Sequence, residues 1–281
     1  MGLKSGWMAG TFFITLIVRH EEAIGMELNL KNRTAVVTGG GKGVGAGISR
    51  KLAAEGVKVL IIYNANPEMA QKHAQSLRDL GGTAEVFQAD VGDRAQVDAM
   101  MRHAEKIFGG IDIIVNNAAW QPNLDIDEYT EEQYDDIMRI NLGGYFRCMQ
   151  AAIPYLKKSD AGRVIMISSV HGKRPGDFDV CYSMTKGGIK MLVREAALEL
   201  AEYGITVNAI LPGAVKIEFK TGFSAPFKMM RKMRDRKYAW APLKRVCMPD
   251  DVGNLVVFLA SKAGDYLTGT SIRMDGGAML L

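Results

Sequence analysis

The regular alternation of short apolar runs with longer amphipathic stretches is the feature of this sequence that most constrains its fold. Seven runs rich in β-branched residues predict strands: Thr34–Thr38, Val57–Tyr63, Thr83–Ala89, Ile111–Asn116, Arg163–Ser168, Ile205–Ile210 and Thr270–Met274. Helical patterns lie between them, near 43–55, 67–80, 93–108, 130–157, 181–203 and 249–261. Several strands are almost continuously apolar, as parallel strands covered on both faces are. The alternation predicts a single doubly wound α/β domain, with a parallel sheet of about seven strands flanked by helices on both faces.

Composition excludes several other classes of protein. The 281 residues are 48% hydrophobic and 23% charged, which argues against intrinsic disorder. The net charge of +4 is small, and no basic stripe or binding motif indicates a nucleic-acid partner. The three cysteines are scattered and form no C-x-x-C pair, so we expect reduced thiols in a cytoplasmic protein, with neither disulfides nor a metal site.

The first 30 residues stand apart from this pattern, and we expect the folded domain to span 31–281. The most apolar stretch, 7–18, has 12 residues, fewer than the ~20 of a transmembrane helix. No small-x-small cleavage site follows it, as a signal peptide would require. Two interpretations stay open: an inert leader, with Met26 as an alternative start, or a segment that docks on a partner or a membrane surface.

The first predicted strand leads into a glycine-rich turn, Thr38-Gly39-Gly40-Gly41-Lys42-Gly43-Val44-Gly45, and a predicted helix follows. Gly39 can adopt backbone angles that are closed to other residues. Gly43 lets the main chain approach a pyrophosphate, and Gly45 lets the helix pack close to the sheet. Free N–H groups and the helix dipole then favour an anion. The strand-turn-helix context therefore predicts a phosphate-binding site.

The spacing of this turn resembles the short-chain dehydrogenase/reductase family, and the resemblance covers nearly the whole chain after residue 30. Further segments are similar to that family's motifs: Asp90-Val91, Asn116-Asn117-Ala118-Ala119 (with Ala119 in place of the usual glycine), Pro212-Gly213, Tyr266-Leu267-Thr268-Gly269 and Asp275-Gly276-Gly277. The resemblance implies a Rossmann-type fold and an oxidoreductase that uses NAD or NADP. The residues it implies for cofactor binding are Thr38, Gly39, Gly41, Lys42, Gly43, Val44, Gly45, Tyr63, Asn64, Asp90, Val91, Asn117, Ala118, Tyr182, Lys186, Pro212, Gly213 and Val215.

The end of the second predicted strand bears on the choice between the two cofactors. A carboxylate there would accept hydrogen bonds from a ribose 2′-hydroxyl and repel a 2′-phosphate. The strand ends in Tyr63-Asn64-Ala65-Asn66, which contains no acid. Asn64 and Asn66 could donate to a phosphate, and the resemblance implies a role for Lys42, which lies where NADP-preferring members of the family often carry a positive charge. We therefore expect NADP to be preferred, with NAD as the alternative.

Tyr182 and Lys186 carry the predicted acid–base chemistry. They lie four residues apart at the start of a predicted helix, so their side chains share one face. A nearby ammonium favours the phenolate and lowers a tyrosine pKa from its ordinary ~10. Tyr182 could then exchange a proton with a substrate oxygen, and Ser169, at the end of the fifth strand, could hold that oxygen. The family resemblance adds Asn141, at a position that kinks a helix and holds a water, and so implies a Ser-Tyr-Lys-Asn tetrad.

The candidate substrate contacts follow the fourth and fifth predicted strands. They are Trp120, Gln121, Ser169, His171, Asp177, Asp179 and Tyr182. Trp120 could stack on a sugar face, whereas His171 is more typical of a loop residue than of a catalyst. The stretch around Ser169-Val170-His171-Gly172 resembles sugar and polyol dehydrogenases of the family. A sugar or polyol is therefore the expected secondary-alcohol substrate.

Two alternatives to that function stay open. The basic segment Ser224–Trp240 could attract a carrier-linked substrate, as in a 3-oxoacyl-acyl-carrier-protein reductase, although a solvated surface helix is favoured there. A catalytically silent nucleotide-binding scaffold is the other alternative, and the complete tetrad argues against it. Ile217 departs from the family's threonine beside the nicotinamide. The resemblance also implies a homotetramer or a dimer built from the helices near 130–157 and 181–203.

Overall fold

The structure, a computed structural model, describes residues 25–175, 179–216 and 241–280. Its strands are Thr34–Thr38 (β1), Lys58–Tyr63 (β2), Thr83–Gln88 (β3), Ile113–Asn116 (β4), Arg163–Ile167 (β5), Thr206–Pro212 (β6) and Ser271–Met274 (β7). All pairings between neighbours are parallel, and the strand order is β3-β2-β1-β4-β5-β6-β7. The predicted doubly wound parallel sheet is confirmed.

The helices fall close to the predicted ranges. They are Gly43–Ala54 (α1), Pro67–Asp79 (α2), Arg94–Phe108 (α3), Glu131–Met138 (α4), Gly144–Leu156 (α5), Val180–Leu200 (α6) and Pro249–Ala260 (α7). Short 3-10 turns lie at Val170–Gly172, Ala201–Tyr203, Lys262–Gly264 and Ala278–Leu280. The helical stretch predicted near 130–157 is confirmed, and a π-helical turn at Arg139–Gly143 within it divides α4 from α5.

Two apolar clusters cover the two faces of the sheet. One packs α3, α5 and α6 against residues such as Val36 and Leu60, and the other packs α1, α2 and α7 against Ala35 and Val37. Every residue of β1 is buried, which explains its unbroken apolar run. Leu30 also packs into the second cluster, directly before the predicted domain boundary at 31.

Close packing between α1 and α7 fixes the position of the glycine-rich turn. A side chain at Gly47 would place its Cβ 2.4 Å from the main-chain carbon of Pro249, so the two helices touch backbone to backbone. Arg50 and Lys51 of α1 both form ion pairs with Asp250 of α7. The start of α1, where the turn ends, is thereby held against the sheet.

The basic segment Ser224–Trp240, the apolar stretch 7–18, Asp177 and Ile217 lie outside the described residues. Among the helices that the structure describes, none is long and apolar enough to cross a membrane.

Candidate active site

The sheet order reverses between β1 and β4, which opens a crevice beyond the carboxyl ends of these two strands. The Thr38 hydroxyl accepts hydrogen bonds from the N–H groups of Asn117 (2.9 Å) and Ala118 (3.0 Å). The Asn117 amide donates in return to the carbonyl oxygens of Thr38 (2.9 Å) and Gly39 (3.2 Å). Thr38 and Asn117, both predicted to bind the cofactor, therefore tie together the two loops that border the crevice.

The glycine-rich turn needs its glycines for two physical reasons. Gly39 (φ +63°) and Gly43 (φ +50°) adopt left-handed backbone angles that disfavour other residues. A Cβ on Gly45 would lie 2.1 Å from the Gly39 carbonyl oxygen, and one on Gly41 would lie 2.9 Å from Cα of Ala70. The start of α1 therefore packs directly against the main chain that follows β1, and the turn packs against α2. This is the close approach that the sequence predicts.

The N-terminus of α1 differs from those of most other helices in the described structure. Side chains cap four of those helices: Asn66 for α2, Asp93 for α3, Thr130 for α4 and Asp179 for α6. No side chain caps α1, whose N-cap is the exposed Lys42 and whose first residues include the half-buried Val44. Uncapped N–H groups beside a tight glycine turn suit an anion. The residues present therefore fit a dinucleotide pyrophosphate.

The polar groups after β2 surround the expected adenosine end of the crevice. Tyr63 ends the strand half-buried, and Asn64 is exposed, with its carbonyl oxygen accepting from Gln88 (2.8 Å). The Asn66 side-chain oxygen accepts from the Met69 N–H (3.1 Å) as the cap of α2, and its amide nitrogen stays available as a donor. Lys42, Asn64 and Asn66 are exposed side chains with N–H donors for a 2′-phosphate.

Asp90 and Val91, predicted near the adenine, lie after β3. The Asp90 carboxylate accepts from Arg139 Nη1 (2.8 Å) and from the Gly92 N–H (2.8 Å). Val91 is buried against α5, where a Cβ on Gly144 would lie 2.7 Å from its Cγ2. Asp90 thus joins the loop after β3 to the π-helical turn, and the side chain of Val91 belongs to the core.

Ser169, Tyr182 and Lys186 meet at the carboxyl end of β5, beside the crevice. Ser169 is buried, and its side chain faces the phenol of Tyr182. The Lys186 ammonium lies 5.4 Å from the centre of the Tyr182 ring, and it donates to the Ile167 carbonyl oxygen (2.8 Å). Tyr182 itself keeps part of its surface open to solvent. The three side chains thus share the face that their spacing predicts, at a place that a substrate can reach.

The pKa directions in this structure differ from the sequence expectation that Lys186 lowers the pKa of Tyr182. Burial raises the pKa of Tyr182 to about 12, against the smaller opposing effect of the hydrogen bond from Ser169. Burial also lowers the pKa of Lys186 to about 7. Desolvation disfavours the charged form of each group, the phenolate and the ammonium. In this state the tyrosine is a protonated acid at neutral pH, and a further positive charge in the crevice is needed to make it a base.

Asn141 lies buried within the π-helical turn, where the family resemblance implies a kink. Its amide nitrogen donates to the Trp120 carbonyl oxygen (2.8 Å), and its amide oxygen accepts from the Trp120 N–H (2.8 Å). The side chain therefore anchors the loop after β4. Trp120, predicted to contact the substrate, is held by its main chain while its ring stays half-exposed.

Asp179 has a different role from the substrate contact that the sequence analysis predicts. Its buried carboxylate accepts from the Tyr129 hydroxyl (2.5 Å), the Tyr182 N–H (2.9 Å) and the Asn123 N–H (3.3 Å). It caps α6 and ties that helix to the loop after β4. An aspartate three residues before Tyr182, at the start of a predicted helix, is the sequence signal that indicates this cap.

The other predicted site residues are distributed around the same edge. His171 lies in the 3-10 turn after β5 and donates its N–H to the Ser169 hydroxyl (3.2 Å). Pro212 is the last residue of β6, and Gly213 donates to the Met274 carbonyl oxygen of β7 (2.9 Å). Val215 forms an isolated bridge with Cys247.

Tyr145 is a residue of this site that sequence reasoning missed. It belongs to α5, is 1% exposed, and accepts a hydrogen bond from Lys186 Nζ (3.2 Å). Its hydroxyl donates to the Ile167 carbonyl oxygen (2.8 Å). No local pattern could have revealed it, because the two partners lie 41 positions apart and meet only in the folded protein.

The parallel sheet, the crevice and the uncapped α1 define a dinucleotide-binding α/β protein of the Rossmann type. A solved short-chain dehydrogenase from Burkholderia cenocepacia, in complex with NADP, superposes with a TM-score of 0.80 at 30% identity, covering 89% of this chain and 99% of that one. Residues 39–279 match the family model described as enoyl-(acyl carrier protein) reductase. The chain belongs to the short-chain dehydrogenase/reductase family and is an oxidoreductase.

The names of the curated relatives indicate different substrates. The 3β-hydroxysteroid dehydrogenase 1 of Eggerthella lenta is 36% identical over 254 residues, covering 90% of this chain and 95% of that protein. The 3-oxoacyl-acyl-carrier-protein reductase of Staphylococcus aureus is 34% identical over 245 residues, covering 87% and 97%. A probable tetrahydroxynaphthalene reductase of Zymoseptoria tritici is 34% identical over 258 residues, covering 89% and 96%.

Proposed function

We propose that this protein interconverts a secondary alcohol and a ketone, with Ser169, Tyr182 and Lys186 carrying the proton chemistry. The observation that carries the proposal is the position of the Tyr182 phenol. It faces the Ser169 side chain, its ring lies 5.4 Å from the Lys186 ammonium, and it stands partly open at the switch-point crevice. Sites on open parallel sheets collect at such an edge.

The chain's own groups divide the work in the following way. The hydroxyls of Ser169 and Tyr182 together hold the substrate oxygen and stabilise charge that develops on it. In carbonyl reduction Tyr182 donates its proton to that oxygen, which matches the protonated state that burial favours. A nicotinamide bound in the crevice would supply or accept the hydride. In alcohol oxidation Tyr182, as the phenolate that nearby positive charge favours, takes the proton of the substrate hydroxyl.

Replacing Tyr182 with Phe tests this proposal. The change removes the proton donor and leaves the ring, so we expect turnover to fall by at least about 10²-fold, the lower range for general acid–base catalysis. NADPH binding, followed by its fluorescence, should change by less than about threefold. Tyr155→Phe is the matched control and should keep its rate. A Tyr182→Phe variant that turns over at the wild-type rate would exclude the mechanism.

For the cofactor we propose NADP in preference to NAD, with Lys42 facing the 2′-phosphate. The support is that Lys42 and Asn64 are exposed beside β2 and that no acid ends this strand. A charge-assisted contact to phosphate contributes about 1.5–3 kcal/mol, or roughly 10–100-fold. Lys42→Ala should therefore lower kcat/KM with NADPH by at least about 10-fold and leave the value with NADH nearly unchanged.

The control for that experiment is Lys72→Ala, which removes an exposed lysine of α2 outside the glycine-rich turn. It should leave both efficiencies unchanged. A wild-type protein that favours NADH, or a Lys42→Ala variant that loses both activities equally, would refute the assignment.

For the substrate we propose a sugar or polyol, supported by the local similarity around Ser169 to Gly172 and by the half-exposed Trp120 ring. A 3-oxoacyl-acyl-carrier-protein is the second candidate, supported by the reductase of Staphylococcus aureus among the relatives. A panel of sugars, polyols, hydroxysteroids and acyl thioesters, assayed with both cofactors, separates them. A kcat/KM at least 100-fold higher for one class decides between the two.

We also propose a cytoplasmic protein that assembles as a homotetramer or a dimer through the long helices. The apolar side chains of Phe146 on α5 and of Met191 and Leu198 on α6 are exposed in the single chain, which supports contact between copies there. Light scattering after size-exclusion chromatography measures the state. A monomer across micromolar concentrations would refute the assembly.

A further inference from the structure

In the part of the chain that the structure describes, neutral groups bind the Lys186 ammonium. Its acceptors there are the Ile167 carbonyl oxygen at 2.8 Å and the Tyr145 hydroxyl at 3.2 Å. Within the described residues, no carboxylate forms an ion pair with it. An ammonium has three N–H donors, so these two bonds leave one donor for the side on which Tyr182 lies.

Tyr145 is built to keep its oxygen in one place. Its side chain is 1% exposed, and its hydroxyl donates to the same Ile167 oxygen, at 2.8 Å. Tyr145 lies in the first turn of α5, directly after the π-helical turn. Its main-chain carbonyl oxygen accepts from the buried side-chain amide of Asn116 (3.4 Å). Tyr145, Ile167 and Lys186 therefore form a closed triangle of hydrogen bonds below the catalytic tyrosine.

We propose that Tyr145 is a positioning residue for Lys186, whose phenolic oxygen holds the ammonium toward Tyr182 and the cofactor crevice. The inference rests on the proposed role of Lys186. It assigns a function to a residue that the sequence motifs do not contain.

The geometry favours positioning over proton relay. The Tyr145 proton points to the Ile167 carbonyl oxygen, which has no proton to pass on. Burial also raises the pKa of Tyr145 well above its ordinary value, so the phenol stays neutral. The oxygen acts only as an acceptor for Lys186, and it helps to keep a desolvated amine charged near neutral pH.

The test compares Tyr145→Phe with Tyr155→Phe, a change on the same helix at a residue without a contact to Lys186. The groups that face Lys186 are Tyr145 from α5 and Tyr182 from its own helix, with the Ile167 carbonyl from β5; Ser169 and Asp179 face Tyr182. Loss of one acceptor disfavours the charged amine and, through it, the Tyr182 phenolate. We expect kcat for alcohol oxidation at pH 7 to fall by about 10-fold, the lower end for one lost hydrogen bond to a charged group. KM should stay within about twofold.

The acid limb of the pH profile for kcat should move upward by about one pH unit in Tyr145→Phe and stay fixed in Tyr155→Phe, since one lost charge-assisted bond corresponds to about that shift. NMR titration of ¹³C-labelled lysine should show a lower pKa for Lys186 in the first variant. A profile and a lysine pKa equal to those of Tyr155→Phe would overturn the proposal. If Tyr145→Phe does not fold, the fallback variant carries 3,5-difluorotyrosine at position 145, a weaker acceptor of nearly the same size. It must move the acid limb upward and lower the pKa of Lys186. If neither changes, the proposal is overturned.

These outcomes are separable from those of the proposed function. If Tyr145→Phe keeps wild-type kinetics and Tyr182→Phe loses turnover, only the positioning role of Tyr145 is refuted. An active Tyr182→Phe enzyme removes the acid–base mechanism itself, whatever Tyr145→Phe does.

Discussion

Replacing Gly45 with Ala should damage both the fold and the cofactor site. The added Cβ would lie 2.1 Å from the Gly39 carbonyl oxygen and 2.7 Å from the Asn117 amide nitrogen, whereas ordinary contacts begin at 3.4 Å. Both neighbours are fixed: one is main chain, and the other is held by hydrogen bonds of 2.9 and 3.2 Å. The turn must therefore move by more than an ångström, since no flexible side chain can give way.

The sum of three contributions decides whether Gly45→Ala raises or lowers the free energy of unfolding. Alanine in a helix is favoured over glycine by about 1 kcal/mol. Overpacking costs about 1–3 kcal/mol, and loss of the Asn117–Gly39 hydrogen bond adds about 1 kcal/mol. The net destabilisation is about 1–3 kcal/mol. For a domain of this size each kcal/mol lowers Tm by about 2–4 °C, so a fall of roughly 2–12 °C is expected.

Two measurements check this prediction. Thermal unfolding gives Tm, and fluorescence titration with NADPH gives a Kd that should rise by at least about 10-fold, because the displaced main chain borders the phosphate site. Gly110→Ala is the matched control: its Cβ would meet nothing within 4 Å, and Tm and Kd should stay unchanged. If Gly45→Ala binds NADPH and melts as the wild type does, the proposed packing of the turn is incorrect.

Two further predictions concern the site's buried charges. Asp179→Ala should lower the free energy of unfolding by about 2–4 kcal/mol, because it removes the cap of α6 and leaves donors such as Tyr129 without a partner, whereas Asp179→Asn keeps an acceptor oxygen and should cost less. Equal urea midpoints for both variants would contradict this. Lys186 has a pKa lowered to about 7 from 10.5, so between pH 7 and 9 the unfolded chain binds more protons there than the folded one. The free energy of unfolding of the cofactor-free protein, relative to Lys186→Met, should thus rise with pH by up to about 1.4 kcal/mol per unit, and a flat difference would refute the burial of a free amine.

Local patterns were sufficient to predict the architecture. Strands such as Thr34–Thr38 and helices such as Pro67–Asp79 show their periodicity in a few adjacent residues, and strand-helix alternation leaves few ways to arrange a sheet. The same holds for the grouping of Tyr182 with Lys186, since a helix brings residues four apart to one face. The interruption at Arg139–Gly143 escaped prediction from periodicity, because a π-helical turn keeps nearly the same apolar pattern as the helix around it.

The protonation states and the partners of the site depended on the tertiary structure. Whether Lys186 lowers the pKa of Tyr182 is decided by how much water the fold removes from each group, and desolvation is a property of packing rather than of spacing. The use of Asn141 to hold Trp120, and of Tyr145 to hold Lys186, follows from contacts between elements far apart in the chain. The amino-acid pattern was enough to predict the fold class, the glycine-rich turn and the grouping of Tyr182 with Lys186, because these depend on short-range geometry. The charge states and their supporting contacts emerge in the folded protein, because burial and long-range hydrogen bonds form once the elements have packed.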